Sequence, residues 1–145
     1  MKCLIQRKNG PELMGLNRRK AVRERCLNCS GWSHKEVTNC TFKDCALYPF
    51  RSGQGKQNSK DRSKAIRLYC LWCIDGQHSE VSKCPSICCS LFPYRKTKTD
   101  RSAEIKSLSK KGHIEACFED KTESEYHNMV SAGIKYGEKT HLIPR

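Results

Sequence analysis

The chain has 145 residues, with 28 lysines and arginines against 15 aspartates and glutamates, and 11 cysteines. This length excludes a large single-core enzyme such as a Rossmann or barrel protein. Leucine, isoleucine, valine and phenylalanine make up only about 18% of the residues, a level at which a highly charged chain needs more than apolar burial to fold.

Residues 1–19 are basic and contain no apolar run of signal-peptide length, so we interpret them as a basic N-terminal arm. No stretch of the chain is apolar enough to cross a membrane, and we expect a cytoplasmic protein. In a reducing compartment, patterned cysteines are metal ligands more often than disulfides. The cysteines are therefore expected to hold the fold together through metal.

The centre of the chain is a duplication with a period of 44 residues. Of the 32 pairs that begin at positions 20–51, 14 are identical when the chain is shifted by 44, where unrelated sequence gives about two. Each copy has a C-x2-C pair, a ten-residue gap, a C-x4-C pair and an exit of the form L-aromatic-P-aromatic-R. The copies define module 1 at residues 20–51 and module 2 at residues 64–95.

Short helices are predicted within each copy. Lys20–Leu27 and Lys64–Leu71 lack glycine and proline and are expected to be helical, which places each C-x2-C pair at a helix end. Ser33 and Glu36 form a capping box that predicts a second helix, whereas Gln77 gives the second copy a weaker cap. The exit prolines, Pro49 and Pro93, favour extended tails.

Residues 52–63 have the composition of a flexible linker, so the modules need not pack rigidly together, and residues 96–145 form a C-terminal, partly helical tail. The predicted fold is therefore small and metal-stabilised. It consists mostly of short helices and loops, with two tandem zinc modules between the arm and the tail.

Two sets of four cysteines at one fixed spacing predict two structural zinc sites, because zinc in such sites takes four tetrahedral thiolate or imidazole ligands. By repeat phase the ligands are Cys26, Cys29, Cys40 and Cys45 in site one, and Cys70, Cys73, Cys84 and Cys89 in site two. Cys88 competes with Cys89 for the last position. An iron–sulfur cluster also uses four cysteines, and His34 and His78 match across the copies but are expected to lie at helix starts rather than to bind metal.

The positive charge is concentrated in the first half of the chain: residues 1–64 carry +10 of the net +13, and residues 100–145 are neutral. Such clustering is the electrostatic footprint of a nucleic-acid binder, because lysine and arginine neutralise phosphates and release counterions. The candidate contacts are Arg18, Arg19, Lys20, Arg23, Arg25, Lys60, Arg62 and Lys64. The aromatic side chains beside them either stack on unpaired bases or cover the metal sites.

The two copies, Cys26 to Arg51 and Cys70 to Arg95, resemble short cysteine-rich proteins encoded by bacteriophages and prophages. The resemblance implies a zinc-binding module and a phage gene product acting in the cytoplasm of a bacterial host, in DNA metabolism, regulation or host takeover. It extends over both repeats and not over the ends of the chain.

These observations predict a zinc-binding, nucleic-acid-binding accessory or regulatory protein, with DNA favoured over RNA, two zinc ions per chain and no catalytic residue. Two other functions remain open. One is a protein-interaction factor that inhibits a host complex, whose binding would survive high salt. The other is a small metal-dependent nuclease using His113 or His127 beside Glu115, Glu119 or Asp120.

Overall fold

The N-terminal residues form a β-hairpin where the sequence suggested only a basic arm. The structure, a computed structural model, describes residues 1–109, and its first elements are the antiparallel strands β1 (Lys2–Arg7) and β2 (Gly10–Gly15). Gly10, with a φ of +117°, follows the two-residue turn that joins them. Three consecutive residues of β1, Cys3 to Ile5, are buried, so the rest of the fold covers both faces of this strand.

Each copy of the repeat contains two α-helices. They are α1 (Arg18–Cys29), α2 (His34–Thr38), α3 (Ser59–Cys73) and α4 (His78–Ser82). The predictions of helix at Lys20–Leu27 and Lys64–Leu71 are confirmed, and each C-x2-C pair lies at a helix end. The Ser33 side chain caps α2 by accepting from the Glu36 amide, whereas Gln77 makes no side-chain cap on α4. No helix within residues 1–109 has the length and apolar content needed to span a membrane.

The two exit motifs form 3₁₀ helices, Tyr48–Phe50 and Phe92–Tyr94, rather than the extended tails that their prolines suggested. The residue before each 3₁₀ helix, Leu47 or Leu91, has right-handed helical backbone angles. The φ that proline imposes also suits the first turn of a helix. Both leucines are buried, with 1% of their surface exposed, where the chain makes this tighter turn.

An arginine at the end of each exit explains why that position is identical in the two copies. Arg51 donates to the carbonyls of Val37 and Tyr48 at 3.2 and 2.9 Å. Its counterpart, Arg95, donates in the same way to Val81 at 3.1 Å and to Phe92 at 2.6 Å. Each arginine therefore ties the exit of its copy to the end of the short helix.

Both copies contribute to one apolar core, although the sequence suggested modules that need not pack together. The core joins β1, α1, α3 and both exits, and its members include Ile5, Val22, Leu47, Ile66, Leu91, Phe92 and Tyr94. The stretch interpreted as a linker is shorter in the structure, because α3 already begins at Ser59. Sharing a core lets two thin modules bury more apolar surface than either could alone.

Polar contacts also join the copies. The Nε of Arg25 donates to the hydroxyl of Tyr69 at 3.1 Å, and these residues occupy equivalent positions of the 44-residue repeat. The Ser90 hydroxyl donates to the carbonyl of Ala21 at 2.8 Å, and the Tyr94 hydroxyl donates to that of Leu16 at 3.0 Å. The repeats thus meet through corresponding parts of α1 and α3.

Residues 96–109 pack on this core, although the sequence placed them in a tail. Residues 102–109 are helical, Ala103 is buried, and the Ser107 hydroxyl accepts from the Leu4 amide at 3.1 Å. Asp100 forms an ion pair with the buried Arg95, with 2.9 Å between Oδ2 and Nη2. A chain cut at Lys98 would lose these contacts, so the folded unit extends beyond the second module.

Replacing Asp100 with asparagine is expected to lower the free energy of unfolding by about 3 kcal/mol, because Arg95 would keep its buried charge without a counter-charge. A hydrogen bond from Ser102 and, after it, the Arg95 guanidinium hold the pKa of Asp100 below its usual range, against the opposing effect of burial. The carboxylate therefore stabilises the fold above the ordinary aspartate pKa, and this stabilisation is lost as pH falls through the lower folded value.

Urea unfolding at pH 7 measures this effect. Asp44→Asn is the matched control, because Asp44 is exposed and makes no ion pair within residues 1–109. Equal midpoints for the Asp100 and Asp44 variants would show that the ion pair does not stabilise the fold.

Candidate metal centres and nucleic-acid interface

The eight cysteines predicted as ligands group in space as the repeat phase requires. In the first copy, Cys26 is close enough to Cys45, Cys29 and Cys40 for their charges to interact. Burial and these neighbours raise its pKa to about 12. In the second copy, burial and the equivalent cysteines raise the pKa of Cys70 to about 12 as well. Clustered thiols whose ionisation is unfavourable without a cation form a suitable donor set for zinc.

The second cluster surrounds a small cavity. The cavity has a volume of about 80 Å³, and its wall includes Cys70, Cys73, Cys84 and Cys89. Cys88 does not line it, and the Cys88 carbonyl instead accepts from the Gln6 amide of β1 at 2.8 Å. The structure therefore brings Cys89, rather than Cys88, together with the other three thiols.

The thiols are clustered but do not form a closed coordination shell. Within residues 1–109, no three cysteine, histidine or acidic side chains are arranged so that they could hold a metal ion. The ten cysteines of this part of the chain are all free thiols. Thiolate is a ligand that zinc prefers, but the tetrahedral arrangement of the sulfurs is not present in residues 1–109.

His34 and His78 lie at the first positions of α2 and α4 and are exposed, as expected for helix starts. The Nδ1 of His34 is 2.9 Å from Nη2 of Arg23, and the Nδ1 of His78 is 3.5 Å from Nη2 of Arg67. Their match across the repeat therefore reflects a pairing with arginine. Within residues 1–109, no contact places them with the thiols.

A basic groove lies at the N-terminal end of α1 and along α3 from Ser59 to Leu68, and no cysteine of the described residues lines it. It is open, has a volume of about 790 Å³, and is lined by seven basic side chains: Arg18, Arg19, Lys60, Arg62, Lys64, Arg67 and Lys96. No acidic side chain of residues 1–109 lines it. The exposed Asp61 lies in the first turn of α3 but outside the lining.

The groove is also bordered by the N-termini of both long helices. Asn17 caps α1 by accepting from the Lys20 amide at 2.9 Å, and Asn58 caps α3 by accepting from the Lys60 amide at 2.9 Å. The first turns of a helix carry partial positive charge and unpaired N–H groups. Backbone and side chains therefore both favour an anion in the groove.

The groove arginines are held by neutral partners, so their charge is not cancelled. Arg18 donates to the Thr99 hydroxyl at 3.0 Å and lies over the Tyr94 ring. Arg19 donates to the Gly55 carbonyl at 2.9 Å. Of the lysines, Lys96 has a carboxylate nearby, with Asp100 at 4.0 Å.

Arg62 is buried beside two other arginines of the groove, Arg18 and Arg19. It is 9% exposed, and burial, followed by the charges of Arg19 and Arg18, lowers its pKa. Its Nη1 donates to Gln57 at 3.0 Å, but its buried Nε has no hydrogen-bond partner within residues 1–109. An unpartnered buried donor among like charges is a group that an anion would stabilise.

The structure brings together five of the eight basic residues proposed from the sequence: Arg18, Arg19, Lys60, Arg62 and Lys64. Arg23 instead donates to the Arg51 carbonyl and contacts His34. Arg25 packs between Tyr69 and the second thiol cluster, where Cys89 and Tyr69 raise its pKa against the effect of burial. Lys20 is exposed outside the groove lining.

Two groove residues, Arg67 and Lys96, were not predicted from the sequence. Arg67 lies three residues after Lys64 on α3, and this helical spacing was a signal that could have included it. Lys96 reaches the groove only through the fold of the second exit, which no local pattern reveals. The nuclease candidates, from His113 to His127, lie outside the described residues.

Comparison with protein-family models, with curated proteins and with solved structures found no match to this chain. The resemblance to phage cysteine-rich proteins stays a prediction.

Proposed function

We propose that the protein is a zinc-binding, nucleic-acid-binding accessory or regulatory protein that uses the groove between α1 and α3 as its phosphate-binding surface. DNA is the favoured partner, and the two cysteine clusters each take one zinc ion. A phage gene product that acts in a bacterial cytoplasm is the origin that the sequence resemblance favours. Zinc is a structural element of this proposal, because four thiolates leave no coordination position for a substrate.

The observation that carries the proposal is the groove itself. Seven basic side chains without an acidic one, placed at two helix N-termini, make a strongly positive concave surface. Phosphate groups satisfy both the side-chain charge and the free backbone N–H groups of such a surface. A groove of about 790 Å³ that is open on one side has room for a strand backbone, whereas a free phosphate ion needs far less.

The cysteine clusters support the zinc component by their chemistry and position. Each is built from the end of a long helix and a later C-x4-C loop, and each contains four thiols by the repeat. The residues that would hold zinc are Cys26, Cys29, Cys40 and Cys45, and separately Cys70, Cys73, Cys84 and Cys89. Zinc would draw these thiols into a tetrahedral shell and fix the C-terminal ends of the helices whose N-termini border the groove.

Electrophoretic shift of the zinc-loaded full chain with single- and double-stranded DNA and RNA tests the function directly. We expect a complex at 0.05 M salt that weakens steeply by 0.5 M, with a slope of log K against log salt near −0.9 per duplex phosphate contact. Mg²⁺ is included so that cleavage is visible. Absence of a complex at low salt contradicts the proposal and leaves a protein partner as the alternative. A complex that does not weaken by 0.5 M salt would show that phosphate contacts do not carry the binding, and shortened products favour a nuclease.

A further inference from the structure

One tryptophan is exposed although the chain has few large apolar residues to spare. Trp72 is 61% exposed, whereas Tyr69, Phe92 and Tyr94 are all less than 9% exposed. The position of Trp72 within the Cys70–Cys73 pair made it a candidate to cover the metal site, and its exposure shows that it does not serve chiefly as a cover. A single exposed apolar side chain is normal on a protein surface, so the residues around Trp72 decide its role.

Trp72 continues a row of exposed side chains that begins in the basic groove. Lys60, Lys64, Leu68 and Trp72 follow one another at intervals of four residues along α3, and all four are exposed. Residues four apart are neighbours on a helix surface, and a row at this spacing turns by about 40° per step around the helix, so its four members form one continuous inclined ridge. The first three line the groove, and Trp72 lies one turn beyond it. At 1.5 Å per residue the row is about 18 Å long, which is enough for several nucleotides.

The Trp72 ring is supported by its neighbours. Its centroid lies 5.5 Å from that of Tyr69, with an interplanar angle of 45°, and the Tyr69 hydroxyl accepts from Arg25 at 3.1 Å. Tyr69 is buried, so it forms a fixed base for the exposed indole. An aromatic side chain that is already positioned loses less conformational entropy on binding.

We propose that the face of α3 formed by Lys60, Lys64, Leu68 and Trp72 binds single-stranded nucleic acid, with phosphates in the basic groove and one base stacked on Trp72. This inference rests on the proposed function and specifies its substrate. Unpaired bases expose their π-faces, whereas the bases of a duplex are stacked on one another. The charge of the groove favours a polyanion over an apolar protein segment as the occupant of this face.

Two single-stranded probes of equal charge test the inference. One is an octamer of thymidylate, and the other is an octamer of the same backbone in which every base is missing. We expect the zinc-loaded full chain to bind the thymidylate octamer about tenfold more tightly at 0.1 M salt, because base–aromatic stacking adds to the phosphate contacts. Trp72→Ala should bind both probes equally, and Trp72→Phe should keep part of the preference.

Phe42→Ala is the matched control for the loss of an exposed aromatic side chain. Phe42 is 72% exposed and lies in the C-x4-C loop of the first copy, outside the groove lining. Its replacement should leave the preference for the thymidylate octamer unchanged. A loss of preference equal to that of Trp72→Ala would overturn the assignment of the stacking residue.

A second variant avoids any effect of Trp72→Ala on folding. Trp32→Phe leaves Trp72 as the only tryptophan in the chain. The fluorescence of Trp72 should be quenched by the thymidylate octamer and not by the base-free octamer. Equal binding of both octamers by the unmodified chain, or binding without quenching, would overturn the inference while the proposed function stands. Failure to bind either octamer by a chain that still binds duplex DNA would overturn the inference alone, and failure to bind any nucleic acid at 0.05 M salt would overturn the proposed function as well.

Discussion

Removal of zinc is expected to unfold the protein. The chain has few apolar residues, and zinc binding by cysteine-rich modules supplies about 10–16 kcal/mol at pH 7, as much as or more than the total stability of most domains. We therefore expect elemental analysis to find two zinc ions in a colourless protein. Treatment with a chelator should abolish both the helical far-ultraviolet signal and the cooperative thermal transition. A chelated protein that still melts cooperatively, or a brown protein containing iron, would contradict this.

Single serine substitutions distinguish the ligands from the other thiols. Cys70→Ser and Cys89→Ser should each cost one zinc ion per chain, because both residues line the second cysteine cavity. Cys88→Ser is the matched control: it changes the neighbouring residue, whose thiol does not line the cavity. Loss of zinc in the Cys88 variant with zinc retained in the Cys89 variant would show that the assignment by repeat phase is wrong.

Neutralising the groove should strongly lower the affinity for nucleic acid. The triple change of Arg19, Lys60 and Lys64 to glutamine removes three groove charges. If each contacts one phosphate of a single strand, the slope of log K against log salt should become less steep by about 2, and the affinity at 0.05 M salt should fall on the order of 500-fold. Zinc content should not change, because none of these residues lies near the thiols. Fluorescence anisotropy with a labelled oligonucleotide measures both quantities.

A second triple variant keeps the change in charge and moves it away from the groove. Lys8, Lys35 and Lys43 are exposed and do not line the groove, so their replacement by glutamine lowers the net charge by the same amount. Its affinity should fall by much less than that of the groove variant. Equal losses would show that general charge, rather than this surface, attracts the nucleic acid.

Local features of the sequence predicted the helices because local interactions determine them. The Ser33 capping box and the glycine-free segments around Cys26 and Cys70 act over four to twelve residues, and the structure contains the helices they imply. The hairpin was missed because Cys3, Leu4 and Ile5 are consecutive apolar residues without the alternation typical of a strand, and only the tertiary fold buries both faces of β1. The prediction of extended exits was wrong because proline is compatible with both an extended chain and a first helical turn. Only the packing of Leu47 and Leu91 distinguishes these two conformations.

The candidate site was predictable only in part. The repeat phase identified which cysteines group together, because equivalent positions of a duplication adopt equivalent places. Closeness in sequence groups Arg23 and Arg25 with the groove residues, but Arg23 contacts Arg51 and His34 within its own copy and Arg25 contacts Tyr69 of the other copy. Arg67 and Lys96 line the groove although they lie apart from that sequence cluster. A groove built from two helix N-termini and the second exit depends on the tertiary contacts between the copies, which no single segment contains.

Hydrogen exchange of the zinc-loaded full chain, with and without a thymidylate octamer, tests the role of the groove most directly. The amides of Arg18, Arg19 and Ser59 precede the first hydrogen bonds within their helices, and those of Lys20, Lys60 and Asp61 are held only by side-chain caps, so all of them exchange rapidly unless a ligand covers them. We expect the octamer to slow exchange at residues 18–20 and 59–61 and to leave residues 34–45 unchanged. Binding that leaves both helix starts unprotected, or that protects residues 34–45 instead, would contradict the assignment of the groove as the nucleic-acid interface.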